Sequence, residues 1–211
     1  MSGAGLTFDE AAHIYRAAGE IIPSVTGILK PLTEAAYIGI PPAVLRHKAD
    51  IGVAAHRACE LYDMDRLDYS TLHEDIEPYL DAYISFRNKT RYTPLAGELR
   101  VWSPQYRYAG TLDNLGELQG KPALVDFKCT AALMPSVGPQ TAAYKQAAID
   151  TPGLLPELRE IAQNATRWCL QLKPDGTYRL ERLDDPADWR TFLACLALQS
   201  FKVKHAKHYD K

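Results

Sequence analysis

Two short stretches hold residues that could do chemistry together: Gly110-Thr111-Leu112-Asp113 and Leu124-Val125-Asp126-Phe127-Lys128. In the second, Val125 and Phe127 alternate with Asp126 and Lys128. A strand there puts the acid and the amine side by side, opposite the two apolar residues. If the strand carrying Asp113 is its neighbour, one meander connection brings the two carboxylates together. Paired carboxylates in a sheet repel unless a cation lies between them, and a hard divalent ion such as Mg2+ or Mn2+ suits oxygen donors. Such an ion would polarise a phosphoryl oxygen and lower the pKa of a water. Lys128 would orient that water or neutralise charge developing on the phosphate. The Phe127 carbonyl, between the two, offers another oxygen. The competing reading of Asp126 and Lys128 is a surface ion pair on an edge strand, because D-x-K is a common tripeptide.

Other residues could join them. His56 follows Gly52, Ala54 and Ala55, small residues that let a helix lie close to a sheet, so its imidazole could reach the metal. A partly buried histidine bonded to a carbonyl is the plainer alternative. Gln140 and Tyr144 are four apart and share a helical face, with Lys145 beside them; an amide and a phenol there could bind phosphate or brace the lysine. Glu98 precedes Asp113 by one strand and could add a third acid, or be a solvated strand residue.

The elements that must position these groups read as follows. Residues 13–23 form either a small hairpin or, over 9–18, a short helix. Ser24 caps a short helix over 25–29 that Pro31 ends. Pro41-Pro42 opens a long helix with Val44, Leu45, Ile51, Ala55, Ala58 and Leu61 at apolar spacing. A second helix spans 73–89, with Ile76, Leu80, Tyr83, Ile84 and Phe86 inward, and Thr93-Pro94 breaks it. Strands over 95–102, 106–118 and 123–129 follow as an antiparallel meander. A helix over 140–150 comes next, then strands over 165–172 and 177–183 around the turn Pro174-Asp175-Gly176, and a closing helix over 185–208 with Asp185 as cap and Pro186 in its first turn. The expected fold class is α/β, a central mixed sheet flanked by helices. Residues 1–211 read as one domain, with 1–92 mostly helical and 93–211 the sheet core plus closing helix.

Composition narrows the classes. The 211 residues are 46% hydrophobic, enough for one real core. A formal net charge of -2 excludes binding nucleic acid by bulk charge, so any such site is a local basic groove. Candidates for that groove are Lys48, Arg57, Arg100, Arg107, Lys145 and the tail residues Lys202, Lys204, His205, Lys207 and His208; the tail alternatively just complements its helix dipole. No apolar run approaches the ~18 residues of a membrane span, and no secretory signal opens the chain, so the expected location is cytoplasmic. Cys59, Cys129, Cys169 and Cys195 are scattered without metal-site spacing, and no iron–sulfur cluster is expected. No GxxxxGK[ST] loop occurs, so no ATP hydrolysis is expected.

Taken in order, these residues resemble the PD-(D/E)XK nuclease superfamily, and within it the RecB-type group that includes phage and mitochondrial exonucleases. The resemblance rests on Gly52-Val53-Ala54-Ala55-His56, Gly110-Thr111-Leu112-Asp113, Asp126-Phe127-Lys128 and Gln140-Thr141-Ala142-Ala143-Tyr144, with Glu98 upstream of the second element and Pro23-Ser24-Val25-Thr26 near the N-terminus. It covers roughly residues 13 to 145. It implies a restriction-endonuclease-like αβββαβ core. His56, Asp113, Asp126 and the Phe127 carbonyl would hold Mg2+ or Mn2+, with Lys128 catalytic and Glu98 a further acid. Gln140, Tyr144 and Lys145 would support the lysine or the substrate. The activity implied is hydrolysis of DNA by an exonuclease in recombination, repair or end processing, with a homo-oligomer or a phage or host recombination partner compatible. The competing functions are an endonuclease of the same fold, a DNA-binding module that kept the fold without chemistry, and an unrelated metal-binding α/β domain.

Overall fold

The computed structural model describes residues 5–206. The chain opens with a three-stranded antiparallel sheet, β1 (Leu6–Asp9), β2 (Ile14–Ala17) and β3 (Glu20–Ile22). The hairpin reading of this region therefore holds for β2 and β3, and the helix over 9–18 does not form. The first strand was not anticipated, although Leu6-Thr7-Phe8-Asp9 alternates apolar and polar residues; Leu6 and Phe8 pair with Ala17 and Tyr15.

Ser24 caps α1 (Val25–Ile28), its Oγ accepting the Gly27 N–H at 3.0 Å. Next come α2 (Pro42–Asp63) and α3 (Glu77–Thr90). Only the second half of α2 reaches a core, through Ala55, Ala58 and Cys59; Val44, expected inside, is exposed. Thr93-Pro94 does not break α3. Arg91 ends it in the left-handed conformation at φ 55, and Thr93 and Pro94 already belong to the next strand.

The main sheet is built from β4 (Thr93–Ser103), β5 (Tyr108–Leu118) and β6 (Lys121–Lys128), then α4 (Val137–Asp150), α5 (Pro156–Asn164), β7 (Thr166–Leu172) and β8 (Tyr178–Arg182), with α6 (Asp188–His205) closing the described chain. Its order is β4-β5-β6-β7-β8. The β6–β7 pair is parallel and the others antiparallel. This is the α/β class with a five-stranded mixed sheet flanked by helices. Gln119 and Gly120, both at positive φ, turn the chain between Leu118 and its partner Lys121, as the twist of a two-residue hairpin requires; Lys121 and Pro122 thus belong to β6. Gly138 and Pro139 lie inside the first turn of α4, and α5 was not anticipated. The closing helix starts at Asp188 because Asp185 instead makes a tight turn, its Oδ1 accepting the Ala187 N–H; positions 207 and 208 lie outside the described residues.

Helices cover both faces. On one, α1, α4, α5 and α6 bury Leu99, Val101, Leu112, Leu115 and Leu124. On the other, α2 and α3 bury Val125, Phe127 and Leu170, while the small N-terminal sheet packs Leu6, Tyr15 and Ile22 against Ala109. A trench is left between α2 and the small sheet. No described helix is long and apolar enough to cross a membrane.

Candidate metal centre

The site begins where two strands part. The β5–β6 ladder runs from Leu118↔Lys121 to Asn114↔Val125. Beyond Val125, β6 is paired with β7 through Asp126, Phe127 and Lys128. The Asp113 carboxylate fills the resulting fork, its Oδ2 accepting the Phe127 N–H at 2.6 Å. The carboxylate thus satisfies a buried backbone donor that a continued ladder would have satisfied.

The alternation of β4 and β5 changes at the same level. Leu112 and Leu115, three residues apart, both enter the core beneath α4. Across from them, Leu99 and Ala96 do the same. Between these pairs Glu98 takes φ 45, a conformation costing a non-glycine residue about 1 kcal/mol or more. Two consecutive residues of β5, Asp113 and Asn114, are thereby directed away from α4, toward α2.

There Asp113 meets Glu98 and His56. One ligand atom from each of the three lies within 4.8 Å of the other two, and His56 Nδ1 stands 3.5 Å from Asp113 Oδ1. Burial, with the Asp113 charge beside it, pushes the Glu98 carboxyl up to about 7. Burial would raise Asp113 too, but the His56 charge and hydrogen bond hold it below the usual carboxylate range. Burial opposes protonation of His56, and Asp113 outweighs it, leaving the imidazole well above its usual range. Two acids and an imidazole converging in a half-buried fork fit a divalent cation.

Asp126 stands beside this group but faces the α4 side. Its side chain is almost wholly buried, and Lys128 Nζ lies 2.5 Å from its Oδ2, although no donor reaches that oxygen in hydrogen-bonding alignment. Its Oδ1 accepts from Gln140 Nε2 at 3.3 Å, and the same amide reaches Tyr144 Oη at 3.2 Å. Burial, then the Asp113 charge against the pull of Lys128, leaves the Asp126 carboxyl raised to about 6. Burial disfavours the Lys128 ammonium, yet Asp126 and Asp113 hold it protonated above the usual lysine range. Gly110 lets α4 come this close: a Cβ there would lie 2.5 Å from Tyr144 Cε1.

The centre floors a cleft of about 590 Å3, walled by the small sheet, β4, β5 and α2. Arg57 and Arg100 line it, as do Glu60, Tyr15 and Thr111. Of the expected site residues, the structure brings His56, Glu98 and Asp113 together, with the Phe127 N–H bonded to Asp113; Asp126, expected as a ligand beside Asp113, instead forms a second group with Lys128, Gln140 and Tyr144 on the α4 side, of which only Tyr144 lines the cleft. Lys145 is elsewhere, donating to the Ala165 carbonyl at 2.7 Å, because its direction on α4 is toward β7. Arg107 pairs with Glu20.

Sequence reasoning missed a brace beside the centre. Asp63 accepts from Tyr83 at 2.7 Å, Arg87 at 2.8 Å and Asn114 at 3.2 Å, tying α2 to α3 and to the residue after Asp113. The available signal was spacing: Asp63 lies seven residues after His56, on the same helical face.

No family model matches the chain, and no curated protein does. It is similar to the solved structure of an alkaline exonuclease from Laribacter hongkongensis, at 12% identity over 89% of this chain and 94% of that one, with a TM-score of 0.35. It is also similar to that enzyme in complex with dAMP, at 15% identity over 88% and 94%, with a TM-score of 0.33.

Proposed function

We propose that this chain is a divalent-metal-dependent DNA nuclease, acting as an exonuclease in recombination, repair or end processing. One observation carries the reading: His56, Glu98 and Asp113 converge within 4.8 Å beside the buried Asp126–Lys128 pair, at the floor of an open cleft. His56, Glu98 and Asp113 would hold the ion, with the Phe127 carbonyl in the same fork and Asp126 on the α4 side of the strand, holding Lys128. A bound Mg2+ or Mn2+ supplies Lewis acidity to the scissile phosphate and to the attacking water.

The remaining work falls to the chain. Asp126 and Gln140 keep Lys128 and Tyr144 in place. The Lys128 ammonium orients the water for in-line attack and offsets the charge that grows on the phosphate. Arg57, paired with Glu60 on the cleft wall, takes a flanking phosphate. With a net charge of -2, these local cations, not the whole-molecule field, hold the strand.

The test is a time course on end-labelled single- and double-stranded DNA and on closed circles, with Mg2+ or Mn2+, for the wild type, Asp126→Ala and Lys128→Ala. Metal-dependent cleavage of linear DNA that both variants lose is expected. Cutting of circles would make the enzyme an endonuclease. Wild-type protein inert on every DNA would overturn the proposal.

A further inference from the structure

The wall of the cleft holds a column of ring systems that the chemistry above does not use. Phe8 stacks on Tyr15 with centroids 4.4 Å apart and planes at 29°. The Arg100 guanidinium carbon lies over the Phe8 ring, 5.2 Å from its centroid. His13 meets both aromatics edge-on, at 5.2 Å and 5.8 Å. All four line the same cleft as His56, Glu98 and Asp113.

The column is anchored at its inner end. Tyr15 is 2% exposed, and its hydroxyl bonds to Thr111 Oγ1 at 2.8 Å. Thr111 is the cross-strand partner of Arg100. Two rows therefore cross the β4–β5 ladder: Glu98 with Asp113, and two residues along, Arg100 with Thr111. Strand rise separates the rows by about 7 Å. The first row offers cation ligands. The second offers a guanidinium braced by an aromatic ring, with an exposed imidazole on the rim.

Guanidinium and aromatic planes are the surfaces on which unpaired bases stack, and a cation already seated over a ring keeps its plane at little entropic loss. We infer that Arg100, Phe8 and His13 form a stacking subsite for the unpaired nucleobase next to the scissile phosphate, so that the substrate is a single-stranded or frayed end. This rests on the nuclease reading for the meaning of "scissile" only; base binding has its own readout.

Two measurements test it. In the first, a single-stranded oligonucleotide carrying 2-aminopurine near its end is titrated with protein without added metal. Wild type is expected to quench the fluorescence, and Phe8→Leu and Arg100→Lys to bind about tenfold more weakly; these variants keep apolar volume and charge but remove a plane. In the second, kcat/KM is compared for oligonucleotides with one abasic residue moved stepwise from the end. One position is expected to cost about tenfold in wild type and nothing further in Arg100→Lys. Quenching without any hydrolysis would leave the subsite standing and sink the nuclease reading. Absent quenching, or variants that lose equally on normal and abasic DNA, would overturn the subsite; terminal circular dichroism matching wild type excludes misfolding of the small sheet.

Discussion

Asp113 and Phe127 are joined where their strands separate: the carboxylate accepts the Phe127 N–H at 2.6 Å, in the place a ladder partner would occupy. The side chain is therefore both a structural acceptor and a candidate cation ligand, and the two roles can be separated. Asparagine can still offer an oxygen to Phe127 but brings no negative charge. Asp113→Asn should unfold within about 1 kcal/mol of wild type in EDTA while losing the heat of Mn2+ binding in calorimetry. Undiminished Mn2+ binding would remove Asp113 from the cation site.

Asp126 and Lys128 are partners in a region with little water. Removing one leaves the other uncompensated, at a cost of about 3 kcal/mol. Lys128→Met should show that loss in denaturant unfolding, and the double variant with Asp126→Asn should recover most of it. Turnover should stay absent in both. Recovered stability with recovered turnover would mean that the pair is purely structural.

Gly110 is required by Tyr144, not by its own backbone angles. Adding a methyl group 2.5 Å from Tyr144 Cε1 overpacks the β5–α4 contact, and Gly110→Ala should destabilise by about 1–3 kcal/mol. Combining it with Tyr144→Leu should restore most of that stability. If Gly110→Ala unfolds like wild type, α4 does not lie this close.

Glu98 makes the metal-free protein sensitive to pH. Its carboxyl ionises near 4.5 in an unfolded chain and near 7 in the folded one. Between these values the folded state holds the extra proton, so stability falls as pH rises and levels off above 7. The loss is at most about 3 kcal/mol. Chemical denaturation in EDTA from pH 4 to 8 should show the fall in wild type and a shallower one in Glu98→Gln. A divalent ion should offset it at pH 8. A Glu98→Gln profile parallel to wild type would contradict the burial of a strained acid here.

The cationic tail and Arg57 of the cleft should differ in their salt dependence. Lys202, Lys204 and His205 end α6, which packs on α4 and α1, and among the described residues none of them lines the cleft. Truncation after Gln199 should leave the slope of log affinity against log salt unchanged. Arg57→Ala should reduce it by roughly one. A smaller slope on truncation would bring the tail into the DNA path.

Much of this was legible in the residues. The D-x-K alternation put Asp126 and Lys128 on one face and Phe127 on the other, because a strand has period two and needs no partner to express it. The meander order and the Pro174-Asp175-Gly176 turn were equally local, and Ser24 announced its helix by a cap reaching three residues. Local signals failed where contact was non-local. Val44 carries the right helical spacing yet meets no partner. Lys145 neighbours Tyr144 in sequence and faces another way on the helix.

For the centre itself, the sequence alone determined which side chains were available and that Asp126 and Lys128 would stand together. Tertiary structure decided which acids share the candidate cation site. Glu98 and Asp113 join His56 because β4 and β5 both shift their alternation at that level, and because β5 leaves β6 just past Asn114. Those are properties of paired strands under helices on both faces. No single strand encodes them, so no reading of period along one chain segment could reveal them.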